Sequence, residues 1–208
     1  MEKKIPAGVL AYAEIFDQDN LANHLSWCGH CVQKTPSDMW VYQEIIAETR
    51  PDLIVEIGSG HGGTALFFAH VMESLGIPAG RVVSYDKVFR EGRPEHPRLR
   101  FATGDPRDRE NMTAISDAVK VDKRRMMVVE DADHSYAVSL GCLNAFAPII
   151  GRDCYYIVED TGLRRRNHKT WDAIQDFLKA NPAWMVDWKR ERFGHTTCHG
   201  GFLRRRDG

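Results

Sequence analysis

Short apolar segments alternate along this 208-residue chain with longer segments in which apolar residues recur every three or four positions. The short segments have the pattern of buried β-strands, and they occupy residues 53–58, 81–86, 99–105, 125–131 and 154–160. The longer segments have helical spacing and lie between the strands, at residues 64–76, 109–120 and 139–150. Because strands that alternate with helices pair in parallel, the pattern predicts an α/β protein with helices on both faces of one sheet.

Further helices and strands flank this alternating region. The spacing predicts a leading helix over residues 37–50, with a Ser or Asp at its N-cap, and a late helix over 168–182 that ends at a proline. Two strand-like segments follow at 183–193 and 200–206, joined by a glycine-containing turn, and we expect them to be antiparallel. A C-terminal hairpin of this kind on a mostly parallel, seven-stranded sheet is typical of Rossmann-like class I methyltransferases.

Composition and charge narrow the range of functions. Hydrophobic residues make up 43% of the chain and charged residues 27%, as in an ordinary globular protein with a complete core. The formal net charge of −1 argues against electrostatic binding of nucleic acid or of an anionic membrane. No run of about 18 apolar residues predicts a membrane span, and the five irregularly spaced cysteines suit reduced thiols. We therefore expect a cytoplasmic protein.

The segment Trp27-Cys28-Gly29-His30-Cys31 matches the redox motif of protein disulfide isomerases. A disulfide-exchange site needs its first cysteine at a helix N-terminus directly after an apolar strand, whereas the residues before Cys28 are polar and have no strand pattern. A zinc site would combine Cys28 and Cys31 with Cys198 and His199, which is a weak pattern without a second Cys-x-x-Cys. We interpret the match as incidental and keep a thiol oxidoreductase as an alternative.

A glycine-rich turn at residues 56–63, with the sequence EIGSGHGG, follows the first predicted strand and opens a helix. Turns of the Gly-x-Gly-x-x-Gly type let the backbone approach a nucleotide-like ligand closely, and the acid at the end of the strand favours S-adenosylmethionine over NAD. A carboxylate at the end of the next strand can accept both ribose hydroxyls, and one after the third strand would approach the adenine. The expected cofactor contacts are Glu56, Gly58, Ser59, Gly60, Gly62, Asp86 and Asp105.

Acidic residues cluster where two later strands end, at Glu130, Asp131, Asp133, Glu159 and Asp160. The carboxyl ends of adjacent parallel strands share one edge of a sheet, so these carboxylates would repel one another unless a cation neutralised them. Oxygen ligands favour Mg²⁺ or a similar divalent ion over zinc. His134 adjoins the cluster and is the candidate general base.

Motifs along nearly the whole chain, from about residue 27 to 206, resemble one known family. They lie at residues 27–29, 34–46, 51–69, 131–135, 156–160 and 200–206. The family is the cephalosporin hydroxylase family, whose members are class I S-adenosylmethionine-dependent O-methyltransferases similar to macrocin-type sugar O-methyltransferases. The long first motif and the spacing of the acidic residues carry the resemblance more than the glycine turn does.

The resemblance implies an Mg²⁺-dependent O-methyltransferase acting on a hydroxyl group of a small natural product, such as a sugar diol or a catechol-like group, in secondary-metabolite or antibiotic biosynthesis. The implied metal ligands are Asp131, Glu159 and Asp160, and the implied base is His134. Glu130 stands directly before Asp131, where an apolar residue is usual in the family. Glu130 or Asp133 therefore remains an alternative to Asp131 as a ligand.

The implied organisation is a single domain in two parts. Residues 1–50 would form a helical segment that covers the substrate, and residues 51–208 would form the S-adenosylmethionine-binding core. A small-molecule acceptor is the expected partner, and a homo-oligomer stays open. An NAD-dependent oxidoreductase could use the same glycine turn and Asp86 but would leave the acidic cluster unexplained. A non-catalytic binding protein would lack some of the ligands, yet every motif position is filled.

Overall fold

The structure, a computed structural model, describes residues 7–105, 108, 110, 125–161 and 169–206. Its α-helices are α1 (Ala7–Gln18), α2 (Pro36–Thr49), α3 (Gly63–Ser74), α4 (Tyr136–Phe146) and α5 (Thr170–Ala180). The strands of a small hairpin are β1 (Ser26–Trp27) and β2 (His30–Cys31). The strands of the main sheet are β3 (Leu53–Ile57), β4 (Arg81–Asp86), β5 (Leu99–Thr103), β6 (Met126–Glu130), β7 (Tyr155–Val158), β8 (Trp184–Val186) and β9 (Phe202–Arg205). Within the described residues, no helix is both long and apolar enough to cross a membrane.

The main sheet has seven strands in the order β5-β4-β3-β6-β7-β9-β8. Strands β3 to β7 are parallel to their neighbours within this group, and β9 is antiparallel to both β7 and β8. This arrangement confirms the predicted fold class, including the C-terminal hairpin. The chain runs outward from β3 to β5 and then continues on the other side of β3 with β6, so a topological switch point lies between β3 and β6. Ligands of open α/β sheets bind at such points. The helix predicted at 109–120 lies outside the described residues except for position 110.

Alternate residues of β3 divide the hydrophobic core into two layers. Leu53, Val55 and Ile57 face the layer that contains residues of α4 and α5, whereas Ile54 faces the layer that contains residues of α2 and α3. Each fully buried aliphatic side chain stabilises the fold by roughly 1.5–3 kcal/mol. Burial on both faces explains why the central strands are continuous apolar runs without alternating polar residues.

Helix α2 begins with a complete N-terminal cap. The Thr35 hydroxyl accepts a hydrogen bond from the backbone N–H of Asp38 at 3.1 Å, and Pro36 occupies the first turn. The buried side chains of Tyr42, Ile45 and Ile46 join the core layer of α3. The predicted leading helix is thus part of the core, and a covering role for residues 1–50 stays a prediction that concerns the segment before α2.

The Trp27–Cys31 segment forms the β1–β2 hairpin, whose two-residue turn is Cys28-Gly29 with φ angles of 50° and 85°. These left-handed angles match the type I′ turn of tight hairpins. The Trp27 ring packs edge-to-face on Phe67 of α3 at 5.0 Å, and a side chain at Gly63 would overlap the carbonyl oxygen of Cys31. Cys28 therefore lies in a hairpin turn and not at a helix N-terminus, and the hairpin packs against the start of α3.

Gly58 is the residue at which β3 meets the chain that leaves β6. It has a φ of 107°, and a Cβ there would overlap the carbonyl oxygen of Asp131. Gly29 also has a positive φ, of 85°, but a Cβ there would meet nothing within 4 Å. We expect Gly29→Ala to lower the free energy of unfolding by about 1–2 kcal/mol, the cost of a left-handed L-residue. Gly58→Ala should cost at least about 3 kcal/mol, since the Asp131 segment must also move.

Chemical denaturation of both alanine variants measures this difference, because each variant places an L-residue at a positive φ. Equal losses in the two variants would contradict a close approach between Gly58 and Asp131.

Candidate active site

The glycine turn is fixed by hydrogen bonds to the neighbouring strand. The backbone N–H groups of Gly58 and Ser59 donate to the carbonyl oxygen of Tyr85 at 2.7 and 3.1 Å. Gly62, with a φ of 84°, caps the N-terminus of α3. The turn therefore lies between a strand and the start of a helix, as the sequence predicts for the site of a nucleotide-like ligand.

Glu56 lies beneath this turn and is 1% exposed. Ser84 hydrogen-bonds its carboxylate and also lies 2.8 Å from the hydroxyl of Ser59. Burial raises the pKa of Glu56 to about 7, although Lys34 and the hydrogen bond from Ser84 lower it. This geometry gives Glu56 a supporting position under Ser59, and a direct contact between Glu56 and a cofactor stays a prediction.

Asp86 lies at the carboxyl end of β4, beside the glycine turn. Its Oδ2 atom accepts a hydrogen bond from the backbone N–H of Gly60 at 3.1 Å, and Arg93 Nη2 lies 3.1 Å from the same oxygen. Arg93 also donates to the carbonyl oxygen of Gly60 at 3.2 Å. Asp86 is thus held in the position predicted for ribose binding, with Arg93 as a partner that the sequence did not reveal. Asp105 lines the same cavity.

Three side chains that bear acid or imidazole groups converge at the ends of β6 and β7. One ligand atom from each of Asp131, His134 and Asp160 lies within 4.8 Å of the other two. His134 Nε2 is 3.2 Å from Asp160 Oδ2 and 3.8 Å from Asp131 Oδ1. His134 and Asp160 have φ angles of 57° and 53°, in the left-handed region that few residues other than glycine adopt. Each of these backbone conformations carries an energetic cost, which the surrounding structure must offset.

Lys34, directly before the cap of α2, supplies a buried cation to this acidic centre. Its side chain is 3% exposed, and its Nζ atom contacts Asp131 Oδ2 and lies 2.9 Å from Glu159 Oε2. The other oxygen of Glu159 accepts a hydrogen bond from the Tyr42 hydroxyl at 2.7 Å. Burial disfavours the ammonium form, but the carboxylates of Asp131, Glu159 and Glu56 outweigh it and raise the pKa of Lys34 well above its ordinary value.

The remaining predicted acids have separate partners. Glu130 is fully buried, accepts a hydrogen bond from the N–H of Ala132 at 3.2 Å, and has a pKa that burial raises to about 7. Asp133 accepts from the N–H of Ser135 at 3.0 Å, directly before α4. Of the alternatives left open by the sequence, Asp131 is the acid that the structure places with His134 and Asp160.

The donor atoms fit a divalent cation. Two carboxylates from different strand ends meet within 4.8 Å, and hard oxygen ligands of this kind are those that Mg²⁺ prefers. Lys34 already compensates part of the negative charge of Asp131 and Glu159. The carboxylate of Glu159 does not belong to the close group of Asp131, His134 and Asp160, so its role as a third ligand stays a prediction.

A cavity of about 2110 Å³ lies along the carboxyl ends of the parallel strands. At one end it is lined by Gly58, Ser59 and Gly60 of the glycine turn with Asp86 and Asp105, and at the other by Trp171, Trp188 and His199. Gly62 packs instead against Phe101 and Pro94, so its contact with a cofactor stays a prediction. Asp131, His134 and Asp160 also line it. The cavity thus has room for two ligands with the acidic centre accessible to both.

Sequence reasoning missed the contacts made by the start of α2. Lys34 and Tyr42 hold Glu159, and the Asp38 carboxylate accepts hydrogen bonds from Thr196 and from the backbone N–H of Thr197, the latter at 2.9 Å. The one sign in the sequence was that Lys34, Asp38 and Tyr42 fall within the long motif at 34–46.

The cysteines provide no support for the zinc alternative. All five are free thiols. Cys198 is buried, with its sulfur 3.2 Å from the Tyr42 hydroxyl, whereas Cys28 is exposed near His70. Within the described residues, the acidic centre is the one group in which three potential metal ligands come close together.

Comparison with known proteins relates this geometry to a family. A family model described as rhamnosyl O-methyltransferase/CmcI matches residues 19–206. A rhamnosyl O-methyltransferase of Mycobacterium leprae (strain TN) is 32% identical over 198 residues, covering 88% of this chain and 84% of the relative. One of Mycobacterium bovis (strain BCG / Pasteur 1173P2) is 29% identical over 185 residues, covering 82% and 74%.

Solved structures share the fold. A structure of CmcI with Mg and SAM superposes with a TM-score of 0.69 at 22% identity, covering 89% of this chain and 78% of that one. The apo structure of CalS11, a TDP-rhamnose 3′-O-methyltransferase, superposes with a TM-score of 0.58 at 14% identity, covering 99% and 89%. The resemblance predicted from the motifs is thereby confirmed: the chain belongs to the rhamnosyl O-methyltransferase/CmcI family.

Proposed function

We propose that this protein transfers a methyl group from S-adenosylmethionine to a hydroxyl group of a sugar on a small natural product, with Mg²⁺ bound at the acidic centre. Membership of the family identifies the chain as an O-methyltransferase, and the acceptor, the metal and the site residues are the proposal. One observation carries it. Gly58 of the glycine turn abuts the backbone of Asp131, so a methyl donor on the turn and an acceptor at the acidic centre would be neighbours.

The methyl donor would occupy the end of the cavity lined by the glycine turn. The backbone of Gly58, Ser59, Gly60 and Gly62 would follow its methionine and ribose parts, with Glu56 as support beneath. We assign the ribose hydroxyls to Asp86 because its carboxylate is already fixed by Gly60 and Arg93. Two further contacts belong to the proposal: one between Glu56 and the methyl donor, and one between Asp105 and its adenine.

Asp131 and Asp160 would hold Mg²⁺, and Glu159 is the proposed third ligand. A bound Mg²⁺ supplies positive charge that lowers the pKa of an acceptor hydroxyl and orients it. Lys34 keeps the carboxylates of Asp131 and Glu159 in place and limits their mutual repulsion. A sugar diol or a catechol-like group offers the two neighbouring oxygens that suit such a centre.

His134 would accept the proton of the acceptor hydroxyl on its imidazole ring, and the carboxylate of Asp160, whose Oδ2 lies 3.2 Å from Nε2, would stabilise the imidazolium that forms. The backbone N–H of Lys169 donates to the carbonyl oxygen of His134 at 3.1 Å, which links this residue to the start of α5. The oxygen would then attack the methyl group of the donor in line, and positioning would supply much of the rate gain.

Two further features belong to the proposal. A role in secondary-metabolite or antibiotic biosynthesis follows from the acceptor class that we assign. The second feature is a cytoplasmic location, because five free thiols suit the reducing conditions of the cytoplasm. The alternative of an NAD-dependent oxidoreductase is displaced by the family membership.

The first test is thermal unfolding with S-adenosylmethionine or NAD, in Mg²⁺ and in EDTA. S-adenosylmethionine at 100 times its Kd should add about 2.7 kcal/mol, or roughly 5–10 °C for a chain of this size. Asp160→Asn should retain this rise and lose the further rise with Mg²⁺, as well as methyl transfer. The exposed Asp172→Asn serves as the matched control. An NAD response alone, or full activity of Asp160→Asn in EDTA, would refute the proposal.

His134→Ala tests the general base. We expect turnover with phenyl α-L-rhamnopyranoside, followed by release of S-adenosylhomocysteine, to fall about 10²- to 10⁴-fold. Mg²⁺ affinity, measured by calorimetry, should stay near that of the unchanged protein if His134 is a base and not a ligand. The exposed His24→Ala is the control. A loss of less than about tenfold would reduce His134 to a structural role.

Lys34→Met tests the buried cation. Removing one partner of a buried ion pair leaves the other charge uncompensated, so the free energy of unfolding in EDTA should fall by about 3–5 kcal/mol. Mg²⁺ should restore part of this loss, since Asp131 and Glu159 would then lack their ammonium partner. Lys169→Met, which removes an exposed ammonium, should cost under about 1 kcal/mol. Urea unfolding of both variants, with and without Mg²⁺, measures these losses. Equal losses in Lys34→Met and Lys169→Met would contradict the role of Lys34.

A further inference from the structure

Three aromatic rings form a continuous surface at the end of the cavity away from the glycine turn. The rings of Trp171 and His199 are stacked, with centroids 5.9 Å apart and an interplanar angle of 19°. The ring of Trp188 lies 5.6 Å from that of His199 at 59°. All three residues line the cavity, and we call this group the aromatic platform.

The platform is fixed by its surroundings. Gly200, with a φ of 65°, lies directly under the Trp171 ring, where a Cβ would overlap the indole. Glu191 accepts a hydrogen bond from the backbone N–H of Gly200 at 2.6 Å and lies 2.8 Å from His199 Nδ1. Trp188 and Glu191 belong to one 3-10 helix, which Asp187 caps through the N–H of Lys189. The rings are therefore preorganised, so a ligand would not have to order them.

The platform is joined to the acidic centre through two chain segments. Thr170, next to Trp171, donates its hydroxyl hydrogen to the carbonyl oxygen of Asp160 at 2.9 Å. The backbone N–H of Thr161 donates to the carbonyl oxygen of Thr197 at 3.0 Å, so the segment that carries His199 runs beside the residue after Asp160. The platform and the acidic centre, which line one cavity, are thus carried by adjoining segments of the chain.

Trp188 is the most accessible ring of the platform. It is 54% exposed, although the 3-10 helix around it is capped and anchored. The cavity is also lined by Val9, Ala13 and Phe16 of α1, which are spaced to lie on one face of that helix. The nearby charge of Arg192 is paired with Glu44. This end of the cavity is therefore shaped for an apolar flat face more than for a phosphate or another anion.

We propose that the aromatic platform is the acceptor-selecting surface, on which a sugar ring packs the face formed by its C–H bonds. A pyranose ring presents hydroxyl groups around its edge and C–H bonds on its faces, so one face can contact an indole while the edge oxygens reach the acidic centre. Ligand pockets commonly combine aromatic walls with a few polar groups that fix orientation. This inference rests on the proposed sugar methyltransferase function, and it assigns selection to Trp188, His199 and Trp171.

The test compares variants of Trp188 with a matched tryptophan that does not line the cavity. Trp40 of α2 is 58% exposed and donates to Glu44 at 3.0 Å, so Trp40→Ala removes an equally accessible indole. With phenyl α-L-rhamnopyranoside as acceptor, Trp188→Ala should raise KM about tenfold or more, while kcat and the Kd of S-adenosylmethionine change less than about twofold. Trp188→Phe, which retains an aromatic face, should stay within about threefold, as should Trp40→Ala.

The outcomes separate the two proposals. An active unchanged protein whose KM is the same in Trp188→Ala would overturn the platform and leave the methyltransferase function standing. An unchanged protein that methylates no rhamnoside would count against the proposed function. In that case, calorimetry measures binding of the same rhamnoside to the protein loaded with S-adenosylhomocysteine. Binding that is lost in Trp188→Ala supports the platform. Absence of binding to the unchanged protein, or binding that is retained in Trp188→Ala, overturns it.

Discussion

The contact of the Lys34 ammonium with Asp131 and Glu159 is the interaction on which the site depends. Carboxylates from two neighbouring strand ends meet in a partly buried space, and their mutual repulsion would be severe without a nearby cation. Lys34 is the residue directly before the cap of α2, so the charge balance of the site requires α2 to be docked against the sheet. The acidic centre is therefore complete only when the leading helix is docked.

The sheet topology explains why a methyl donor and an acidic centre would meet. The switch point between β3 and β6 brings Gly58 against the backbone of Asp131. Any side chain at position 58 would push the two apart, and the separation of two reacting groups by even one ångström is costly to rate. At the same edge of the sheet, Asp160 accepts a hydrogen bond from Thr170 of α5. Helix α5 also carries Trp171 of the aromatic platform. The proposed donor site, the acidic centre and the aromatic platform thus follow the order of the strands.

Local periodicity in the sequence was sufficient to predict the strands, because β3, β6 and β7 are continuous apolar runs buried on both faces. It also placed Asp131, His134 and Asp160 together, since parallel strands end at one edge. It could not predict that Lys34 binds Glu159, because the two residues are distant in sequence and no local pattern encodes their contact. The predicted strand over 183–193 ends at Val186, because Asp187 caps a 3-10 helix there. The apparent redox motif matched a hairpin turn, a conformation that residue identity alone does not distinguish from a helix N-terminus.

The left-handed backbone at His134 and Asp160 has a consequence for how this protein could evolve. Glycine adopts that conformation without the steric cost that a Cβ brings, so selection for heat resistance alone would favour it at both positions. Each such replacement would exchange a chemical group for a more relaxed main chain. At these two residues, selection for stability and selection for chemical function would therefore favour different side chains.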